Sequence, residues 1–407
     1  MEMVSHSSGI PHEVPNWVRF VDHVLALAVA CPLVSLFWCG GFFLTDVYIY
    51  PNDKPFSYWF TFITGSVLSL NVHLHCDSLV AVSSRCPDSA HLLQRITGIV
   101  LIVAIVFQWD GLWCLVDHYL GHTQRSCLYC WALGTAVLCV TGCRNNMVTG
   151  VPFTCRHDRP EILFAANTRF HTKSNGNRFW SFCDQLFSIF VVQPSVILIW
   201  RGIWNIQDYT LLPNDPVTSA NVSCVTEITI KPYNIHALSG TLVTVALYLL
   251  QNSVAETSLA LGPSARYGVE LVWQELAVSS SVTLWRGQWL WFAFIFQGEV
   301  ATMWLATLAA GWALTALNMG GLSTQLGAVP DPPLDITTDV IRFPIDYAAQ
   351  IYKTHFNYTM LIKQRHAQKL STSVVSKPLL EMHHATAKVL YPLLDEIRLA
   401  VPDSMAN

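Results

Sequence analysis

Residues 190–204 read FVVQPSVILIWRGIW. The first eleven residues of this stretch carry no charge, and Arg201 then stands between two tryptophans. A helix of about 20 apolar residues crosses the hydrocarbon core of a bilayer, and the apolar run around this stretch covers 184–206. The stretch therefore predicts a transmembrane helix that carries a charge inside it.

Comparable apolar runs predict seven further spans elsewhere in the chain. Glu270, Glu275 and Arg286 interrupt the seventh span, so a chain with seven spans is the alternative. The prediction is an all-α, polytopic helical membrane protein with about eight transmembrane helices. The other spans are placed at 22–45, 57–80, 96–118, 127–147, 234–253, 273–296 and 299–321.

The composition agrees with a protein whose surface faces lipid. Only 12% of the residues are charged, whereas a soluble domain carries about 25%. A net charge of -4 without a basic block excludes a nucleic-acid partner. No nucleophile elbow, phosphate loop or zinc-protease helix occurs, so we expect neither an enzyme nor a cofactor.

Two groups of potential metal ligands are weak candidates. His73, His75 and Asp77 alternate along one span, about 200° apart on a helix, so they cannot all face one ion. Cys127 and Cys130 form a pair without a second pair of matching spacing. We therefore predict no metal site.

The distribution of basic residues predicts the orientation, because cationic loops stay in the cytosol. With both termini cytosolic, the loops on the opposite side hold only Lys54, Arg125 and Lys231. Asn221 begins a glycosylation triplet that this topology places outside, whereas the triplet at Asn357 stays inside. The cytosolic segments up to the last span hold ten basic residues: Arg19, Arg85, Arg95, Arg144, Arg156, Arg159, Arg169, Lys173, Arg178 and Arg266.

A repeated motif marks the odd-numbered spans. It reads Trp, any residue, Gly, any residue, Trp or Phe, and then Asp eight positions after the first Trp. A fourth copy has Ala293 in place of the aspartate. The copies are Trp38, Gly40, Phe42 and Asp46; Trp109, Gly111, Trp113 and Asp117; Trp200, Gly202, Trp204 and Asp208; and Trp285, Gly287 and Trp289.

The repeat predicts a duplicated unit of four spans. The first and third copies are both followed by Pro-Asn-Asp, at 51–53 and at 213–215. The predicted organisation is a cytosolic N-terminus, a first half, a basic cytosolic loop, a second half and a cytosolic C-terminal tail, at 1–21, 22–147, 148–183, 184–321 and 322–407. Within the tail, apolar spacing between Ile345 and Leu370 indicates an amphipathic helix that packs against the membrane domain or, alternatively, lies on the inner leaflet or holds a partner.

Two interpretations of the motif remain open. The tryptophans fit an interfacial aromatic belt, with glycines that let helices approach closely. The residues after the first Trp, however, are Cys39, Asp110, Arg201 and Arg286, and buried charges of opposite sign pair. Asp110 is the expected partner of one arginine, and Asp117 or Asp208 of the other, unless both arginines snorkel to headgroups. The candidate intramembrane polar network is Asp110, Asp117, Arg201, Asp208 and Arg286.

The sequences Trp200-Arg201-Gly202-Ile203-Trp204 and Trp285-Arg286-Gly287-Gln288-Trp289, in a chain of eight predicted spans, resemble the Fuseless family. The resemblance covers about residues 20–325. It implies an eight-pass plasma-membrane protein of presynaptic terminals, where the founding member is needed for calcium-channel localisation and evoked transmitter release. An organiser of a voltage-gated calcium channel or active-zone protein is the first hypothesis, acting through the loop from Arg144 to Arg178 and the tail. A transporter or channel with a polar pathway between the halves is the second.

Overall fold

The computed structural model describes most of the chain. Helices and turns make up the described part, which contains no β-strand. Asn221, which is the predicted glycosylation site, Asn357 and the tail beyond 359 lie outside it. The described residues are 14–158, 168–170, 178–210, 232–323, 328–332, 340–356 and 359.

Each predicted span overlaps a helix of the described part, although the fourth helix ends at Thr141, before the predicted end at 147, because Gly142 takes a left-handed conformation. We number the long helices α1 to α8 and call α1, α3, α5 and α7 the inner helices and the others the outer helices. Short 3-10 turns lie at Arg144–Val148 and Gly320–Ser323. The helices are α1 Asn16–Tyr48, α2 Lys54–Arg85, α3 Pro87–Leu120, α4 Gln124–Thr141, α5 Arg178–Thr210, α6 Pro232–Leu259, α7 Pro263–Phe296 and α8 Val300–Ala316.

Four of these helices are long and apolar enough to cross a membrane: the whole of α1 and α5, residues Leu92–Leu120 of α3 and residues Ile235–Leu259 of α6. The helix α8 is apolar but shorter. The helix α7 carries Arg266, Glu270 and Arg286, all of which are buried. Helical membrane architecture is therefore supported, and the count of eight spans stays a prediction.

Each outer helix packs against one inner helix. The helix α2 pairs with α3, α4 with α5, α6 with α7, and α8 returns to pair with α1. The inner helices contact one another in the order α1, α3, α5, α7 and back to α1. The packing therefore repeats at the level of a helix pair, four times around one axis, within the compact unit 25–344.

The inner helices also match in alternate pairs. The helices α1 and α5 are each 33 residues long, and α3 and α7 are each 34. Both α1 and α5 contain a π turn, Ala26–Ala30 and Ser188–Val192, which precedes Pro32 and Pro194 respectively. Because proline lacks an N–H and collides with the preceding turn, it widens the helix at this point. These matches are consistent with a duplicated four-span unit, which stays a prediction.

The residues 1–24 and 345–407 form the second compact unit. A helix runs from 347 to 356, inside the region predicted to be amphipathic. The buried Asp22 carboxylate accepts hydrogen bonds from the backbone N–H groups of Ala348 and Ala349, where that helix begins. Trp17 packs edge-to-face on Tyr352, with 6.2 Å between ring centroids. A carboxylate at a helix N-terminus satisfies free N–H groups and interacts well with the helix dipole.

Candidate functional site

The first tryptophans of the four motif copies meet in a closed ring on the axis. Each packs edge-to-face on the next, at interplanar angles from 78° to 87°. Such T-shaped pairs are the favoured aromatic geometry. The centroid distances are 5.2 Å for Trp38–Trp109, 5.6 Å for Trp109–Trp200, 5.3 Å for Trp200–Trp285 and 6.0 Å for Trp285–Trp38.

A second aromatic layer lies one helical turn further along. Trp289 packs edge-to-face on Phe42 at 5.3 Å and on Trp204 at 5.6 Å, and Trp204 packs on Trp113 at 5.8 Å. In the ring itself, Trp38, Trp109 and Trp285 are each only 7% exposed. The interpretation as an interfacial aromatic belt is therefore wrong for these residues, because their rings fill the axis of the bundle.

The motif glycines are the points where the outer helices touch the inner ones. A Cβ at Gly111 would come within 2.4 Å of the Phe62 backbone nitrogen, and one at Gly287 within 2.3 Å of the Ala237 nitrogen. Gly40 and Gly202 meet Thr307 and the backbone of Cys127 and Trp131 in the same way. Contacts this close need a residue without a side chain.

The outer helices contribute a matching set of glycines that the motif search did not include. Each of these glycines packs against the inner-helix residue that comes directly before the motif tryptophan. In each helix pair, therefore, the outer helix has a glycine at the contact as well as the inner helix. The signal that would reveal them is a glycine within every even-numbered span. They are Gly65 against Gln108, Gly134 against Ile199, Gly240 against Leu284 and Gly311 against Phe37.

Arg201 joins α5 to the preceding inner helix. Its Nε lies 2.7 Å from Asp117 Oδ1, and its Nη2 donates to the Gly121 carbonyl at 2.9 Å. The same guanidinium reaches Ser126 Oγ and Cys130 Sγ on α4. Arg201 is fully buried, so it does not snorkel to a lipid headgroup.

Arg286 repeats this arrangement one step around the axis. It forms an ion pair with Asp208 on α5 and donates from Nη1 to the Trp204 carbonyl at 3.2 Å. Its guanidinium carbon lies 5.7 Å from the centre of the Trp204 ring, and its Nε reaches His236. Each arginine therefore pairs with the motif aspartate of the preceding copy, whereas the prediction gave a motif aspartate to only one of them.

Asp110 departs from this pattern. It occupies the position of the arginines in the second copy, is 2% exposed, and within the described residues forms no ion pair with Arg201 or Arg286. The Cys114 thiol donates to its Oδ1 at 3.9 Å. The motif aspartate of the first copy, Asp46, pairs instead with Lys54 at 2.7 Å. The expected pairing of Asp110 with an arginine is therefore wrong.

The fourth junction, between α7 and α1, carries no charge at the motif positions. Ala293 stands where the aspartate would be, and Cys39 stands where the arginine would be. Cys39 is buried in an apolar cluster with Phe292 and Met303. Acid and base are therefore absent together, which leaves no charge without a partner at this junction.

A segment that follows α4 packs into the bundle beside the tryptophan ring. Val151, Phe153 and Cys155 are buried. The Val151 carbonyl accepts a hydrogen bond from Trp285 Nε1 of the ring at 2.9 Å, and Tyr248 donates to the Pro152 carbonyl at 2.7 Å. The start of the predicted basic loop is therefore part of the packed domain.

Arg144 belongs to the same packed region. It is 1% exposed, with Nε 2.8 Å from Asp331 and Nη2 3.3 Å from Glu270. Arg144 is consequently not available to a partner, contrary to the expectation that the basic loop begins an interaction surface at this residue.

Asp158 lies further along the same segment. Its carboxylate accepts a hydrogen bond from the backbone N–H of Gly321, and burial raises the pKa of Asp158 to about 7.

The described residues contain no group of three or more His, Cys, Asp or Glu side chains placed to hold a metal ion.

The structure divides the predicted polar network into two ion pairs, Asp117 with Arg201 and Asp208 with Arg286, and the separate Asp110. The two ion pairs link α5 to α3 and α7 to α5 around a core of aromatic rings.

A family model described as Fuseless matches residues 17–323, a range that contains all four motif copies and both ion pairs. No curated protein and no solved structure matches the chain. Because the family match covers well over half of the sequence, the resemblance of the motif is confirmed, and the chain belongs to the Fuseless family.

Proposed function

We propose that this chain is a plasma-membrane protein of presynaptic sites that organises voltage-gated calcium channels and supports transmitter release. Family membership supports this role. One observation favours an organiser over a transporter. Two layers of aromatic side chains from the inner helices fill the axis of the bundle, where a transport pathway would have to run. Each of the two arginines is paired with an aspartate, so neither offers an unpaired positive charge that could bind a transported anion.

The partner surface that we propose is the tail. Arg144 is engaged inside the domain, whereas the tail holds further basic and acidic residues after Thr359. Affinity purification of the full chain from native synaptic membranes is expected to recover calcium-channel subunits. Failure to recover any channel subunit under conditions that retain known channel complexes would contradict the organiser role.

Removing residues 360–407 is expected to abolish recovery of the channel while leaving the bundle inserted. The matched control is Lys54→Gln, which removes a half-exposed ion pair worth about 1 kcal/mol or less and should leave recovery unchanged. Detergent melting of both variants would show that the bundle is intact. Equal channel recovery with and without the tail would assign the contact to another part of the chain.

The second candidate function is transport or conduction. One observation favours it: the indole Nε1 atoms of Trp38 and Trp109 are buried on the axis without a hydrogen-bond partner in the described part. Purified chain in liposomes is expected to move neither cations nor anions above the rate of empty liposomes. A saturable flux that Trp109→Phe alters would instead support a pathway along the axis.

The proposed orientation puts both termini in the cytosol. A tag at Asn407 should be detected only after permeabilisation, and a protease added outside should spare the tail, because the loops with few basic residues lie outside. Glycosidase sensitivity should disappear in Asn221→Gln and persist in Asn357→Gln. Detection of the tag on intact cells would overturn this topology.

A further inference from the structure

The π turn of α5 leaves a backbone carbonyl without its helical partner. Gln193 donates its N–H to the Ser188 carbonyl, but Pro194 has no N–H to give to the Ile189 carbonyl. Gln108 of α3 supplies the missing donor through Nε2, at 3.1 Å. π turns are enriched at functional sites, and this one is served by a side chain from another helix.

Polar side chains of α2 lie at the same level. The helix α2 packs against the beginning of α5, and Phe62 lies 6.2 Å from Phe190 between ring centroids. Because the two helices run in opposite directions, Ser66 and Ser69 follow Phe62 toward the level of Gln185, one turn before the π turn. Ser66 and Ser69 share the buried face of α2.

This cluster holds oxygen atoms that nothing else in the described part satisfies. Ser66, Ser69, Gln108 and Gln185 are each 3% exposed or less. The hydroxyl oxygens of both serines and the Oε1 atoms of both glutamines lack a hydrogen-bond partner there, as does the Gln185 Nε2. Buried polar atoms are costly unless a ligand, an ion or ordered water satisfies them.

The unsatisfied atoms of this cluster are mainly oxygens, and the type of donor atom determines which ligand the cluster can bind. Hard cations prefer oxygen ligands, and transporters bind Na⁺ where an interrupted helix exposes carbonyls near the middle of the membrane. The four residues of the cluster include no carboxylate that would neutralise a divalent ion, and no imidazole or thiol that would favour a transition metal. We propose that the side-chain oxygens of Ser66, Ser69, Gln108 and Gln185, beside the π turn of α5, bind a Na⁺ ion inside the bundle.

The equivalent π turn of α1 serves as an internal comparison. It consists of ALAVA, without a polar side chain, and the position that corresponds to Gln108 is Leu284. Two turns with the same proline therefore differ in their surroundings. The site is built around the α5 turn, and it does not depend on the proposed role at the synapse.

The test compares the melting temperature of the purified full chain in NaCl and in choline chloride at equal ionic strength. Na⁺ that binds only the folded state should raise the melting temperature saturably, by about 2 to 4 °C. The double variant Ser66→Ala, Ser69→Ala should lose this difference. The control is Ser258→Ala, a buried serine of α6 whose hydroxyl also lacks a partner in the described part; it should keep the full difference.

Binding of radioactive Na⁺ to the unmodified chain supplies a second measurement that does not depend on how the variants fold. A single saturable class of sites, displaced by unlabelled Na⁺ and not by choline, is expected. A melting temperature equal in both salts together with no saturable binding would overturn the proposal and leave ordered water as the occupant of the cluster.

Discussion

Replacing Arg201 with glutamine is expected to lower the free energy of unfolding by about 3 to 5 kcal/mol, because it leaves the Asp117 carboxylate without its buried partner. Asp117→Asn should cost a similar amount, since it leaves the fully buried guanidinium uncompensated. The double variant should cost clearly less than the sum of the two, which is the signature of a direct pair. Detergent melting and surface expression measure all three.

Asp110→Asn is the matched control for this cycle. It changes an acid of the same type in the same helix, but Asp110 contacts the Cys114 thiol and not an arginine. Its effect should therefore add to that of Arg201→Gln without coupling. Coupling of Arg201 to Asp110, or its absence with Asp117, would show that the arginine pairs differently in the membrane.

The second large effect is expected at the crossing of α2 and α3. Gly111→Ala places a methyl group within 2.4 Å of the Phe62 nitrogen and 2.6 Å of the Tyr58 carbonyl, and backbone cannot move aside as a side chain can. Overpacking typically costs about 1 to 3 kcal/mol, and contact with backbone belongs at the upper end or beyond. The melting temperature and surface expression should both fall sharply.

Gly98→Ala in the same helix is the control, because no atom lies within 4 Å of a Cβ at that position. Alanine is favoured over glycine in a helix interior by about 0.5 to 1 kcal/mol, so this variant should be neutral or slightly more stable. Equal losses at the two positions would mean that the α2–α3 crossing is not as close as the structure has it.

The two arginines show where prediction from sequence reached its limit. Their position beside the first motif tryptophan indicated that each needs an acid, but spacing alone offered Asp110, Asp117 and Asp208 as partners. The choice depends on which inner helix precedes which around the axis and on how each helix is rotated. Arg201 and Asp117, for example, are 84 residues apart in the sequence, so no local sequence pattern specifies that they meet.

The tryptophans show the same limit in another form. Their placement toward the ends of apolar spans fits an interfacial belt as well as it fits a core, because the same aromatic side chain suits both environments. Four helices must meet on one axis before a ring can close. The burial of the segment around Val151 could not be predicted from the sequence either, because the residues that contact it, Trp285 and Tyr248, lie on the distant helices α7 and α6.

Neighbouring residues alone were enough to predict the helical class, the approximate course of the long helices and the four motif copies, because apolar length and helical period are local properties. The contacts between distant helices had to be seen in three dimensions: the motif tryptophans face the axis, Arg201 and Arg286 pair with Asp117 and Asp208, and the glycines of inner and outer helices lie at close helix contacts. Such contacts depend on the rotation and crossing of helices, which close packing between distant segments fixes.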